Sequence, residues 1–427
     1  MKQHNRQRSW ARLFLWSHVA GVMAFYIILW LRTRRGEENS ETSIEAESTG
    51  NATTITSGQH VSIIVPARDE EATIRRCVTS LLEQDYDDYE VIVVDDGSTD
   101  STAAILDDIA HTHPQGSRLW VLRLRDLPPG WAGKPHALHR GIQEAQGDWL
   151  LFTDADTWHA PGALRWAVSQ AVQDGADLFS LGTQQELPGF WNKVMMPMAF
   201  IGISMQYPPR KVNDAGSRVA LANGQYMLMR RAVYDTVGGY ARPDLRGTLL
   251  DDRDLARVVK DNGYRLRLVD GRHLVHVRMY QGLRETWHGW RKNAFLGSRG
   301  GLPGVLLMLL GLPLVSIVPF LLPLLGWLNR QKRTRGISAL EAGIATPLEL
   351  APLLAYRLWV NKELGIPWYY IFTHPLAAGM FEGILAQSTW RVLTGQGVDW
   401  RGRQYYASQD LLPTEPRQAA DPAATQR

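Results

Sequence analysis

Residues 150–164 read LLFTDADTWHAPGAL. An apolar run suited to a buried strand ends in two carboxylates, Asp154 and Asp156, one residue apart. Like charges at that range repel and raise each other's pKa. Such a pair implies either a cation shared between them or an ordinary solvated loop, and the flanking sequence decides which.

Strand-like and helix-like patterns alternate outward from this point. VSIIVPA (61–67) is a short, continuous β-branched run, as expected of a strand buried on both faces. EEATIRRCVTSLLEQ (70–84) then sets Ile74, Cys77 or Val78, and Leu81 at helical spacing. YEVIVVDDGSTDST (89–102) repeats the arrangement, with Ser98 or Thr99 placed to cap a helix through AAILDDIA. LWVLRL, GDWLLFTD and ADLFSLG read as further strands, separated by helical patterns at 134–146 and 161–174. The alternation predicts an α/β fold, Rossmann-like, with a mostly parallel sheet and helices on both faces. Ligands of such sheets bind at the carboxyl ends of the strands, where the acidic clusters lie.

Composition confines the alternatives. A net charge of +3 over 427 residues gives no footprint for nucleic acid, and one cysteine, Cys77, excludes an intrachain disulfide or a cysteine zinc site. Cys77 falls on the apolar side of its helix and reads as an inert core thiol. Residues 13–31, LFLWSHVAGVMAFYIILWL, are long enough to span a bilayer and are flanked by Arg6, Arg8, Arg12, Arg32, Arg34 and Arg35. The run is longer than a signal-peptide core and lacks a small-residue cleavage site, so 1–35 is expected to be an N-terminal transmembrane anchor. The acidic, Ser/Thr-rich stretch 36–59 reads as a disordered linker. PGVLLMLLGLPLVSIVPFLLPLLGWL (303–328) is long enough to span but carries Pro313, Pro319 and Pro323, which predict a kinked or re-entrant segment. The expected divisions are a soluble domain over 60–280, an interfacial amphipathic helix over 281–300, a transmembrane or re-entrant region over 301–392, and a polar tail over 393–427.

Each acidic turn has a bland reading: turn chemistry for Asp95 and Asp96, capping for Asp251, Asp252 and Asp254 at a helix start, a solvated surface for Lys134. Together they make a charged crevice. VPARDEEATI, VVDDGSTDST, GWAGKPHALHRGI, FTDADT and LLDDRDLARVVKDNGYRL follow one another in an order and spacing that resemble family 2 glycosyltransferases of GT-A fold, over about residues 60–300. The resemblance implies a nucleoside pocket of Pro66, Ala67, Glu70 and Asp96, with Asp96 the contact to the base. It implies that Asp154 and Asp156 form a DxD motif holding Mg²⁺ or Mn²⁺ against the sugar-nucleotide diphosphate, a fitting task for carboxylate oxygens. Lys134 of the Gly-Lys pair would reach the diphosphate. Asp252 would be the catalytic base, with Asp251 standing where the family usually has Glu. His273 and His276 read as structural or acceptor-side residues.

The segment RMYQGLRETWHGWRKNAFLG (278–297) more narrowly resembles membrane glycosyltransferases of carotenoids and related isoprenoid lipids. Its mixture of Trp287, Trp290, Arg284, Arg291 and Lys292 suits a membrane interface. Polysaccharide synthases carry Gln-x-x-Arg-Trp here; Gln281 and Arg284 match, but Glu285 takes the Trp position. The expected activity is inverting transfer from a nucleotide sugar, a UDP-sugar first, to a hydroxyl or carboxyl of a lipid acceptor. The setting is a bacterial cell membrane with the catalytic domain on the cytoplasmic side. A processive polysaccharide synthase and a non-catalytic membrane scaffold are the alternatives.

Overall fold

A computed structural model of the chain describes residues 2–45, 58–331, 337–400 and 403–405. The chain divides into two compact units. One comprises residues 50–186, 209–279 and 390–427; the other comprises residues 1–49, 187–208 and 280–389. Leu187–Pro208 thus belongs to the helical unit, although it lies inside the stretch read as one continuous domain.

The first of these units is built on a seven-stranded sheet. Its strands are β1 (Val61–Ala67), β2 (Tyr89–Asp95), β3 (Leu119–Arg123), β4 (Trp149–Phe152), β6 (Leu178–Gly182), β8 (Met227–Arg230) and β9 (Leu266–Asp270). They are ordered β3-β2-β1-β4-β8-β6-β9. β3, β2, β1 and β4 run parallel, as the continuous apolar runs predict. β8 is the exception, antiparallel to both β4 and β6. A small second sheet joins β5 (Thr157–His159), β7 (Gln184–Gln185) and β10 (Val275–Val277), in the order β5-β10-β7. A separate hairpin pairs β11 (Val398–Trp400) with β12 (Arg403–Tyr405), within the stretch read as polar tail.

The helix Ile74–Leu82 buries Ile74, Cys77, Val78, Leu81 and Leu82, the face its spacing predicts. These side chains join Ile63, Val65, Val91, Val93, Leu151 and Phe179 in one core. Burial drives the Cys77 thiol pKa well up, so the thiol is inert. The cap of helix Thr102–Thr112 differs from expectation. Ser101 occupies the N-cap position without a side-chain bond, and Asp100 Oδ1 accepts from the Thr102 amide at 2.9 Å. Ser98 Oγ instead accepts from the Asp69 amide at 3.0 Å.

The other unit is helical. Trp10–Thr33, a 24-residue stretch within the helix Lys2–Glu45, is long and apolar enough to cross a bilayer. That helix continues into the stretch read as linker; positions 46–57 of the linker lie outside the described residues. Gly301–Ser316 and Val318–Asn329 meet at a bend of 57°. The break falls at Ile317, between Pro313 and Pro319, and Pro319 has no N–H to donate to the Val315 carbonyl one turn back. Tyr26, Val194, Leu353, Tyr356, Val360 and Ala377 share the core of this unit. His18 bonds Glu349 at 2.8 Å and Tyr26 bonds Ser316 at 3.1 Å, so these two polar contacts tie the N-terminal helix to its neighbours inside the bundle.

Candidate active site

Parallel pairing brings the ends of β1, β2 and β4 side by side. Ala67 stands opposite Asp95, and the Asp96 amide donates to the Ala67 carbonyl at 2.8 Å. Asp95 is spent on the turn: its Oδ1 accepts from the Ser98 amide at 2.9 Å. Asp96, one residue beyond the strand, is buried and its carboxylate takes no part in that turn. Arg68 fixes its backbone, Nη1 donating to the Asp96 carbonyl at 2.8 Å. Asp69 adopts a left-handed φ of 51°, a conformation Asp tolerates. Its Oδ1 accepts from the Thr99 amide at 2.8 Å, joining the first two turns. The Glu70 amide donates to Thr102 Oγ1 at 2.8 Å, and a Glu70 oxygen accepts from Thr73 Oγ1 at 3.1 Å. Pro66, Ala67, Glu70 and Asp96 therefore occupy one neighbourhood.

Lys134 lies in the first turn of the helix Gly133–Glu144. Its Nζ is 2.7 Å from Asp154 Oδ1 and 3.4 Å from Asp251 Oδ2. Burial alone would lower its pKa, but Asp154, then Asp251 and Asp252, raise it well above the ordinary lysine value. The ammonium thus stays charged and binds the β4 end to the start of the helix Asp251–Asp261.

Asp251 and Asp252 are placed differently. Asp251 is buried at 5% exposure, whereas Asp252 is half-buried and open to the crevice. Asp252 Oδ2 accepts from the Gly224 amide at 3.0 Å, and Oδ1 from the Arg253 amide at 2.7 Å. These two donors fix the carboxylate plane. Gly224 was not evident in the sequence as a site residue. A Cβ there would stand 3.0 Å from Lys134 Nζ and 3.2 Å from Asp252 Oδ2, tight enough that one of them would have to shift by a few tenths of an ångström.

The Asp154–Asp156 turn is braced from below. Thr157 Oγ1 donates to the Asp154 carbonyl at 2.7 Å, and Thr153 Oγ1 to the Gln225 carbonyl at 2.8 Å. His159 Nε2 lies 3.2 and 3.1 Å from these two hydroxyls. With both hydroxyl protons committed, Nε2 carries the hydrogen. Burial pushes the His159 pKa down to about 3, so the ring is neutral. His276 stacks on Trp158 at 5.6 Å and 11°, and Arg76 covers the same indole at 3.2 Å. His273 meets Trp166 edge-on. Both histidines thus pack against indoles.

Among the described residues no group of three or more His, Cys, Asp or Glu is assembled to hold a metal. The hard oxygen donors of Asp154 and Asp156 fit a Mg²⁺-type site, in which one or two carboxylates act with substrate phosphates rather than as a full protein cage.

The Glycosyl transferase family 2 profile matches residues 62–238. The 4,4'-diaponeurosporenoate glycosyltransferases of Staphylococcus aureus strains USA300 and MRSA252 are each 26% identical over 360 residues, covering 82% of this chain and 89% of theirs. The mannosyltransferase PcManGT from Pyrobaculum calidifontis, solved in complex with GDP-Man and Mn2+, matches with a TM-score of 0.51 at 18% identity, over 89% of this chain and 99% of that one. With strand order, acidic turns and the three comparisons in agreement, residues 62–238 form a family 2 glycosyltransferase domain, the fold is of GT-A type, and the chain as a whole resembles the carotenoid glycosyltransferases.

Proposed function

We propose that the protein is a membrane-bound, inverting glycosyltransferase that moves a sugar from a nucleotide donor to a hydroxyl or carboxyl of a lipid acceptor, a carotenoid or another isoprenoid lipid. The observation that carries this reading is the cluster in which Lys134 joins Asp154 to Asp251 beside the half-open Asp252. The acceptor class follows the names of the Staphylococcus aureus relatives and the apolar helix Trp10–Thr33.

In this reading Pro66, Ala67, Glu70 and Asp96 bind the nucleoside, with Asp96 accepting from the base. Asp154 and Asp156 hold Mg²⁺ or Mn²⁺. When bound, the cation would supply positive charge to the departing diphosphate. Lys134 adds a second positive charge there as a permanently protonated point charge. Asp252 takes the proton of an acceptor hydroxyl as the oxygen attacks the anomeric carbon, held in orientation by the Gly224 and Arg253 amides. The donor is a UDP-sugar in the first instance, and the catalytic domain faces the cytoplasm, where such donors are made.

The polysaccharide-synthase alternative gains nothing from the segment at 281–285. Glu285, in place of the Trp of Gln-x-x-Arg-Trp, accepts from the Gln281 amide at 2.7 Å and serves the start of the helix Gly282–Ala294. The scaffold alternative gives no role to the Lys134–Asp154–Asp251 cluster. The experiment is transfer from UDP-sugars to extracted isoprenoid lipids, read by mass spectrometry, with Asp156→Asn and excess EDTA as controls. The expected result is a single-sugar lipid product lost in both controls. Full activity in EDTA removes the metal assignment, and a polymeric product removes the lipid assignment.

A further inference from the structure

The carboxylate of Asp96 is already engaged. Arg403 Nη2 donates to its Oδ1 at 3.2 Å, and Arg403 Nη1 donates to its Oδ2. This is the two-pronged pairing in which arginine meets carboxylates most strongly. The Asp96 side chain is left 7% accessible and the Arg403 side chain 21%. A base edge that needs both carboxylate oxygens meets the guanidinium first.

The two partners differ in how firmly they are held. The backbone of Asp96 is held at both peptide groups, its amide bonding Ala67 at the end of β1 and its carbonyl bonding Arg68. Arg403 sits on β12, which pairs with β11 in a two-stranded sheet separate from the seven-stranded one. A two-stranded hairpin is marginal by itself. The half of the pair with the weaker backbone support is therefore the arginine. The sequence separation of 307 residues means that this contact is made by the far end of the chain folding back on the second strand's turn.

We infer that Arg403 is a residue of the donor site, a latch on the C-terminal hairpin that covers Asp96 until the base of a nucleoside diphosphate displaces it. The inference rests on the reading of Asp96 as the base contact. Displacement exchanges one set of charge-assisted hydrogen bonds for another and makes or breaks no covalent bond. A covered site lowers apparent affinity by the fraction of time it is uncovered, so a latch closed about nine-tenths of the time masks about tenfold in affinity.

The test is calorimetric titration of the full chain in lipid nanodiscs with UDP and with GDP, each with Mn²⁺. Arg403→Ala should bind the preferred nucleotide about tenfold more tightly than the parent. Arg403→Lys should fall between them, because an ammonium cannot make the forked contact. Asp96→Asn should bind more weakly than the parent. If Asp96→Asn weakens binding while Arg403→Ala leaves it unchanged or weaker, the latch is overturned and the Asp96 assignment stands. If neither substitution changes affinity for either nucleotide, the Asp96 assignment itself fails, and the latch with it.

Discussion

The amide of Gly224 donates to Asp252 Oδ2 at 3.0 Å, and the same glycine leaves room for Lys134 Nζ. A backbone group from the loop before β8 thus orients the proposed base and shapes the space of the cation beside it. Gly224→Ala should therefore disturb chemistry more than folding. A methyl group at 3.0 Å from Nζ and 3.2 Å from Oδ2 forces one of them to shift. The shift needed is a few tenths of an ångström; since about 1 Å near reacting groups costs about 10²-fold in rate, about tenfold is expected here. The expected result is a kcat reduced by about that factor, with a Tm close to the parent's. A kcat within twofold of the parent would show that the site absorbs the methyl group and that Gly224 does not position Asp252.

Asp252→Asn and Asp251→Asn should fail in different ways. Asp252 is the more open carboxylate, so its loss should lower kcat by about 10²–10⁴-fold with little change in donor affinity. Asp251 is buried and 3.4 Å from Lys134, so its amide variant removes a countercharge and should reduce stability and weaken diphosphate binding. Steady-state kinetics with a donor titration separates the two. A larger kcat loss in Asp251→Asn than in Asp252→Asn would exchange their roles.

The sheet was legible where residues are buried on both faces. β1, β2 and β4 are unbroken apolar runs that end in acids, and both features are local. β8 was not legible: Met227–Arg230 is four residues without alternation, and its place between β4 and β6 depends on pairing with strands far away in sequence. β9 was not picked out, because the acidic motif LLDDRDLARVVKDNGYRL ends at Leu266, the first residue of that strand. Asp154, Lys134 and Asp251 could be named because each sits in a motif, yet the ion pairs joining them needed the fold. Gly224 and Arg403 had weaker signals. The Asn-Gly pair at 223–224 marks only a turn, and VDWRGRQY (398–405) is a short hairpin pattern inside a polar tail. Neither sequence says which acid it meets.

His159 gives the catalytic unit a pH dependence of definite sign. Its ring is 5% exposed, and burial lowers its pKa to about 3. The unfolded chain takes up a proton near pH 6.5 while the folded one does not. Stability from this group is full above about pH 6.5 and falls by about 1.4 kcal/mol per pH unit from there down to about pH 3. His159→Gln keeps an amide donor near the Thr153 and Thr157 hydroxyls and removes the titration. Other acid-sensitive groups, Asp100 and Asp244 among them, have lowered pKa values and also cost stability as pH falls, so the comparison is between proteins. The difference between the urea midpoints of parent and variant should be constant above about pH 6.5 and should shift against the parent as pH falls towards about 4, the parent having the steeper slope there. Parallel slopes would mean that the imidazole gains its proton without unfolding.

Trp287 and Trp290 suggested an interfacial helix, and their surroundings give them a second task. Trp287 Nε1 donates to Gln387 Oε1 at 2.7 Å, and its ring fills the notch over Gly383, where a Cβ would stand 2.9 Å from Cη2. Trp290 packs against the core that contains Tyr26 and Tyr356. One turn further, Ser388 Oγ donates to the Arg291 carbonyl at 2.7 Å and accepts from the Phe295 amide at 3.2 Å. The helix Gly282–Ala294 is thus fastened to the helix His374–Leu393 by an indole in a glycine notch and by a serine bridge. Removal of a fully buried Trp costs about 3–5 kcal/mol, and the half-buried Trp287 should cost about half of that. Trp287→Ala should therefore lower the Tm in detergent and reduce lipid transfer and donor hydrolysis in the same proportion. Gly383→Val should reproduce the loss from the other side by filling the notch. A Tm equal to the parent's, with only the KM for lipid raised, would assign Trp287 to the lipid surface instead.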